Sequence, residues 1–345
     1  MPLFSPRSGG PSPLAGVDVL LADLDGVVYA GAGALPFAVE SLNRARDGRR
    51  LAYITNNASR TDASVAAHLT ELGLATAPDE VVTSPQAAMR LLVERIPAGS
   101  TVLVVGGEGL VTEVEKAGFV VTRSAEDSPA AVVQGFAPEV GWTQLAEAAF
   151  ALKLPEDEGG IPWIATNTDW TIPQARGIAP GNGTLVSAVH TAIGRLATVA
   201  GKPEVPIFDE AVARFGAQHP LFLGDRLDTD ILGANRAGIA SALVLTGIDR
   251  PKHVLAAPPD SQPTYILGDL RELHEPYPEA RVRDGVVTVR GASVRIDGPD
   301  VHILSEGDRP IDLVRAGARA IWDTGRAIYG FRVPERLYAD PFHRP

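Results

Sequence analysis

The 345-residue chain is long enough for about two domains, and 45% hydrophobic residues is ordinary for a globular protein. A net charge of −11, from 31 basic and 42 acidic residues, argues against general binding to nucleic acid or anionic membranes. The lack of cysteine excludes disulfides, a thiol nucleophile and thiolate-bound zinc, and the seven histidines show no HExxH spacing.

Residues 1–16 are expected to form a disordered tail. Pro2 to Pro13 is rich in Pro, Ser and Gly, with one Arg and no apolar core, so it does not read as a signal peptide. No later stretch is apolar over the ~20 residues that span a bilayer. A cytoplasmic setting fits.

Short apolar runs then alternate with helix-like segments, the pattern of βαβ units and a mostly parallel sheet. Strands are expected at 18–23, 51–55, 101–105, 130–133, 162–166, 220–224, 241–245 and 264–267. Thr61-Asp62 is placed to cap a helix carrying Val65, His68, Leu69 and Leu72 on one face.

The first run ends in Asp23-Leu24-Asp25-Gly26. Period-two alternation predicts both carboxylates on one side. Asp23 would attack a phosphoryl group, Asp25 would act as acid and then base, and Gly26 would let the backbone approach the phosphate. An acidic strand-ending turn has the same letters.

Ile54-Thr55-Asn56-Asn57 closes the next run, where a hydroxyl and successive N–H groups can cradle an anion; it is equally a helix cap. Val105-Gly106-Gly107-Glu108-Gly109 lacks the third glycine of a dinucleotide fingerprint and reads as a tight turn. Trp142, Trp163 and Trp170 read as packing residues.

A second α/β unit opens near 101, and its loop Thr166 to Gly183 is expected to face a substrate. Gly201-Lys202-Pro203 presents an ammonium in a stiff turn and is not a P-loop, since Leu196 and Pro203 break that pattern. Gly224-Asp225-Arg226-Leu227-Asp228-Thr229-Asp230 is the most distinctive stretch. Asp225 and Asp230 there would join Asp23 around a hard cation such as Mg²⁺, whereas Asp228 fits a helix-dipole role. Residues 255–263 are Pro-rich. Beyond 276 a hairpin is expected around Asp284-Gly285, then a helix across Ile311 to Ile328.

The four stretches, in this order, resemble the haloacid dehalogenase (HAD) superfamily, in its class IIA, NagD-like or p-nitrophenyl phosphatase branch. Thr55-Asn56-Asn57-Ala58-Ser59-Arg60, Thr166-Asn167-Thr168-Asp169 and Pro180-Gly181-Asn182-Gly183 extend the likeness toward bacterial glycerol 3-phosphate phosphatases. The resemblance implies an α/β fold: a discontinuous Rossmann-like core at 17–84 and 197–275, an inserted C2-type cap at 85–196, and a small α+β extension at 276–345.

It also implies a phosphatase working through a phosphoaspartate. Asp23 would be the nucleophile and Asp25 the general acid/base. Thr55, Asn56, Asn57 and Lys202 would bind phosphate, and Asp169 and Arg176 would touch the substrate. Mg²⁺ would be held by Asp23, the main-chain carbonyl of Asp25 and Asp225, with Asp230 in the outer shell. Glycerol 3-phosphate is the expected substrate; 2-phosphoglycolate, p-nitrophenyl phosphate and nucleotide monophosphates are alternatives. Phosphomutase chemistry or a non-catalytic ligand-binding role stand behind these. The expected partner is a small phosphorylated metabolite, not nucleic acid or membrane, and the family analogy allows a homo-oligomer.

Overall fold

The apolar runs become strands. In the computed structural model, which describes residues 10–174 and 176–341, Val19–Ala22, Pro220–Gly224, Ala240–Val244 and Tyr265–Leu267 lie side by side and parallel. All four residues of Val19–Ala22 are buried, as expected where both faces of a parallel sheet are covered. The register places Val19 opposite Pro220 and Ala22 opposite Leu223, so the residues following the two strands emerge level.

The chain divides into two units, 1–51 with 217–345, and 52–216. The C-terminal segment belongs to the first. Ala280–Arg283 and Val286–Val289 form the expected hairpin, with Asp284 at φ 50° and Gly285 at φ 74°, the left-handed pair of a type I′ turn. Ala292–Asp297 and Asp300–Glu306 complete an antiparallel sheet. Its Val287, Val289, Val294 and Val301 share one buried cluster with Leu243, Leu245, Val254 and Ile266.

The following helix is shorter than expected. It runs Pro310–Trp322, not to Ile328. At its end the Thr324 hydroxyl donates to Ile321 O and accepts from Arg326 N–H, which turns the chain out of the helix before Gly325 and Ile328. Arg315 on this helix is 5% exposed; it donates to Ile266 O and pairs with Glu272 at 2.7 Å and Asp312 at 2.8 Å.

The boundary between units falls inside the strand Arg50–Thr55. In the 52–216 unit this strand continues parallel to Val81–Thr83. The helix Asp62–Glu71 starts as expected, with Thr61 Oγ1 accepting from Ser64 N–H at 3.2 Å. A second, wholly parallel sheet runs in the order Thr198–Val199, Trp163–Ala165, Ala131–Gln134, Thr101–Val105, Val120–Thr122. Leu103, Val132 and Trp163 on one face pack with Ala148, Leu152, Val186 and Val189, contributed by and around the helices Trp142–Ala151 and Asn182–Ile193.

Two expectations are corrected here. The 166–183 loop contains a β-hairpin, Thr171–Gln174 with Gly177–Pro180, whose alternation is too short to read from sequence. Of the three tryptophans only Trp163 is buried; Trp142 and Trp170 are 80% and 66% exposed, because one opens a helix and the other precedes the hairpin. Among the described residues no helix is long and apolar enough to cross a membrane.

Candidate active site

In the 1–51/217–345 unit, Asp23 and Asp225 directly follow the adjacent strands Val19–Ala22 and Pro220–Gly224. Asp23 N–H donates to Leu223 O at 2.8 Å, which continues the ladder for one more residue. Asp230 arrives from the π-helical turn Leu227–Ile231, a local widening that recurs at functional sites. Carboxylate oxygens of Asp23, Asp225 and Asp230 lie within 4.8 Å of one another, and the residues are 8%, 2% and 1% exposed.

Three buried carboxylates this close repel one another, and a divalent cation is the economical way to neutralise them. An oxygen-only donor set suits Mg²⁺. Part of each anion's charge is also met by backbone. Asp230 Oδ2 accepts from Asp225 N–H at 3.1 Å and Arg226 N–H at 3.2 Å, and Asp225 Oδ2 accepts from Ile248 N–H at 2.6 Å.

Gly26 has φ +81°, and a Cβ there would sit 2.6 Å from Asp225 Cγ and 2.9 Å from Gly247 Cα. Its carbonyl accepts from the Thr246 hydroxyl at 2.7 Å. Asp249 holds the next turn by accepting from Leu227 N–H at 2.6 Å; burial pushes its carboxyl up, opposed by that N–H and by His253. Thr246, Gly247, Ile248 and Asp249 were not singled out in the sequence. Their signal was available, since they directly follow an apolar run, as Asp23 and Asp225 do.

Asp25 is arranged differently from the alternation argument. The strand stops at Ala22, so alternation does not govern 23–25, and Asp23 is buried while Asp25 is exposed. Gly26 N–H donates to Tyr29 O and Val28 N–H to Leu24 O, which curls the chain immediately after the nucleophile candidate. An exposed carboxyl beside a buried one suits a group that must exchange protons.

The 52–216 unit brings together Asn56, Asp169 and Lys202. Asn56 Nδ2 donates to the Asp169 carboxylate at 3.2 and 3.3 Å and to Lys202 O at 3.0 Å, while its Oδ1 accepts from Lys202 N–H at 2.8 Å. Lys202 is 4% exposed, between Gly201 and a cis peptide bond to Pro203. Asn56 therefore grips the lysine's backbone on both sides. Asn167 Nδ2 donates to Asn56 O at 2.8 Å, and Asn182 Nδ2 to Asn167 O at 2.7 Å. These two amides carry the 166–183 loop onto the same frame, a role that sequence reasoning missed although both stretches had been noticed.

Thr55 is buried at its strand's end, and its Oγ1 accepts from Asn57 N–H at 3.1 Å. Asn57 is exposed and accepts from the N–H and hydroxyl of Ser59. Arg176 is exposed at the turn of the hairpin.

A haloacid dehalogenase-like hydrolase model matches residues 20–120, and a HAD-hydrolase-like model matches 199–273. The chain is 43% identical over 320 residues to D-glycerol 3-phosphate phosphatase of Mycobacterium tuberculosis, covering 90% of this chain and 87% of that protein. It is 35% identical over 275 residues to human chronophin, covering 74% and 92%. The crystal structure of the M. tuberculosis glycerol phosphate phosphatase with magnesium matches with a TM-score of 0.85 at 41% identity, covering 94% of this chain and 95% of that one. A p-nitrophenyl phosphatase from Archaeoglobus fulgidus matches with a TM-score of 0.68 at 25% identity, covering 75% and 98%. The chain belongs to the haloacid dehalogenase-like hydrolases.

Proposed function

We propose that the protein is a Mg²⁺-dependent phosphatase that hydrolyses a small cytoplasmic phosphomonoester, with glycerol 3-phosphate preferred. The observation that carries this is the convergence of Asp23, Asp225 and Asp230 at the carboxyl ends of neighbouring strands. The substrate choice rests on likeness to the mycobacterial enzyme, whose name states that substrate. We further propose a core of 17–84 and 197–275, a cap of 85–196 and an extension at 276–345.

Held by Asp23 and Asp225, with Asp230 in the outer shell, Mg²⁺ would supply charge neutralisation and Lewis acidity toward a phosphoryl oxygen. The residues do the rest. A carboxylate oxygen of Asp23 forms a bond to phosphorus as the ester P–O bond breaks, giving an aspartyl phosphate. Asp25 delivers its proton to the departing alkoxide, so glycerol leaves neutral. Ionised Asp25 then takes a proton from the water that attacks phosphorus, releasing inorganic phosphate and restoring both carboxyl groups. Asp25's main-chain carbonyl is a further proposed metal ligand. Gly26, Thr55, Asn56, Asn57 and Lys202 are proposed for the phosphate, and Asp169 and Arg176 for the glycerol end.

The test is phosphate release from glycerol 3-phosphate, 2-phosphoglycolate, p-nitrophenyl phosphate and a nucleotide monophosphate. Glycerol 3-phosphate should give the highest kcat/KM, and Asp23→Asn should lose at least about 10⁴-fold in kcat. An active Asp23→Asn enzyme would remove the phosphoaspartate; a different best substrate would remove only the glycerol 3-phosphate assignment.

A further inference from the structure

One motif remains without a role: Val105-Gly106-Gly107-Glu108-Gly109. It lies at a particular point of the 52–216 unit. The chain leaves Thr101–Val105 for the edge strand Val120–Thr122, then returns across the sheet to Ala131–Gln134, on the other side of Thr101–Val105. Right-handed crossovers therefore send the segments after these two neighbouring strands to opposite faces. In open parallel sheets the crevice outside the carboxyl ends of such a pair is the preferred ligand site.

A cavity of about 450 Å³ opens there, inside the size range of small-molecule pockets. Gly106 and Gly107 line it from the end of one strand and Ala137 from beyond the other, with Arg123, Glu139, Thr143 and Glu147 around them. A Cβ at Gly107 would meet Ala137 Cβ at 3.0 Å, so a larger residue there would crowd two of the lining residues together.

Arg123 supplies the charge. Its Nη1 donates to the carbonyls of Val104 and Gly106, and among the described residues no carboxylate lies within ion-pair distance of it. The residue as a whole is exposed, yet desolvation lowers the guanidinium's proton affinity. Glu147 is fixed by Ala125 N–H at 2.7 Å and offers an acceptor in the same cavity. One cation with two carboxylate acceptors, Glu139 and Glu147, in the same lining matches a ligand that carries one anionic group and neighbouring hydroxyls able to donate. The missing third glycine argues against a dinucleotide.

We propose that this cavity is a second ligand site, for a small hydroxylated oxyanion (a carboxylate or a phosphate) whose charge is taken by Arg123 and whose hydroxyl donates to Glu147. The test is calorimetric titration of the full chain, stripped of divalent cations, with D-glycerate, with inorganic phosphate, and with glycerol as the uncharged control. At least one anion should show binding that Arg123→Gln weakens, and glycerol should not bind; which anion loses affinity in that variant tells a carboxylate site from a phosphate site. Arg123→Gln should weaken binding by about tenfold or more, the worth of a charge-assisted hydrogen-bond pair. Thr143→Trp, at an exposed position, should fill the cavity and have the same effect in a folded protein. Neither anion binding, equal binding of glycerol, or an Arg123→Gln affinity within about twofold of the parent would overturn the proposal and leave Arg123 as a cap on two strand-end carbonyls.

Discussion

Gly26→Ala tests the geometry of the metal cluster more sharply than removal of any carboxylate, because it leaves every charge in place. Three costs are expected. An L-residue at φ +81° costs about 1 kcal/mol or slightly more. The added Cβ would also overlap the Asp225 carboxylate, with Gly247 Cα 2.9 Å behind it, so Asp225 must move. Overpacking of this kind costs about 1–3 kcal/mol. Moving Asp225 also endangers its 2.6 Å hydrogen bond from Ile248 N–H, worth about 1.5–3 kcal/mol for a charged acceptor. Together these predict a loss of about 3.5–7 kcal/mol and a melting temperature lower by at least about 7 °C. Half-saturation by Mg²⁺ should rise by at least about tenfold as the donor set is spread. The assay is phosphate release against Mg²⁺ concentration, with thermal unfolding measured with and without Mg²⁺. Gly16→Ala is the control: Gly16 has φ +78° but nothing within 4 Å of its Cβ position, so it should show only the backbone cost. A Gly26→Ala protein with the parent's Mg²⁺ half-saturation, or one no less stable than Gly16→Ala, would refute the reasoning.

Other outcomes follow from the same geometry. Asp25→Asn should lower kcat by about 10²–10⁴-fold while leaving Asp23 able to accept phosphate, so mass spectrometry of a quenched reaction should detect phosphoenzyme; parental kcat would remove Asp25 from proton transfer. Asn56→Ala deletes hydrogen bonds to Lys202 N, Lys202 O and Asp169, each worth about 1 kcal/mol. It should cut kcat/KM by about tenfold to a hundredfold without unfolding the chain, and an unchanged value would show that the lysine turn holds itself. Arg315→Ala strands Glu272 and Asp312, both buried, and should cost about 3 kcal/mol. The expected fall in melting temperature is about 6–12 °C, with phosphate release retained in the cold; a shift under about 2 °C would mean that Arg309 and Arg290 rescue the acids alone.

Much of the fold was legible because its determinants are local. Val19–Ala22 and Pro220–Gly224 are short, fully apolar and followed by acidic turns, which is how a strand covered on both faces must look. Asp284-Gly285 sits between alternating valines, and its two left-handed residues demand a tight hairpin. The hairpin at 171–180 has no such signature, since four-residue strands containing Pro173 and Pro180 offer no readable alternation. The end of the Pro310–Trp322 helix was misplaced because apolar spacing continues to Ile328, while a single hydroxyl, Thr324, turns the chain away.

The site divides along the same line. The convergence of Asp23, Asp225 and Asp230 was legible because two of them directly follow neighbouring apolar runs and the third lies one turn on, and Asp25 was noticed because it adjoins Asp23. Asn56 was recognisable as important but not for what it does. Its amide is spent on Asp169 and on both sides of Lys202, partners 113 and 146 residues away, so nothing local in Thr55-Asn56-Asn57 could show that its side chain positions the lysine. The same holds for Asn167 and Asn182, whose side chains close a backbone-to-backbone path from the hairpin's foot to Asn56. A cluster of carboxylates announces itself by type and place. An amide that holds another residue's backbone does so only through partners remote in sequence, which is why the acidic cluster could be read before its scaffolding.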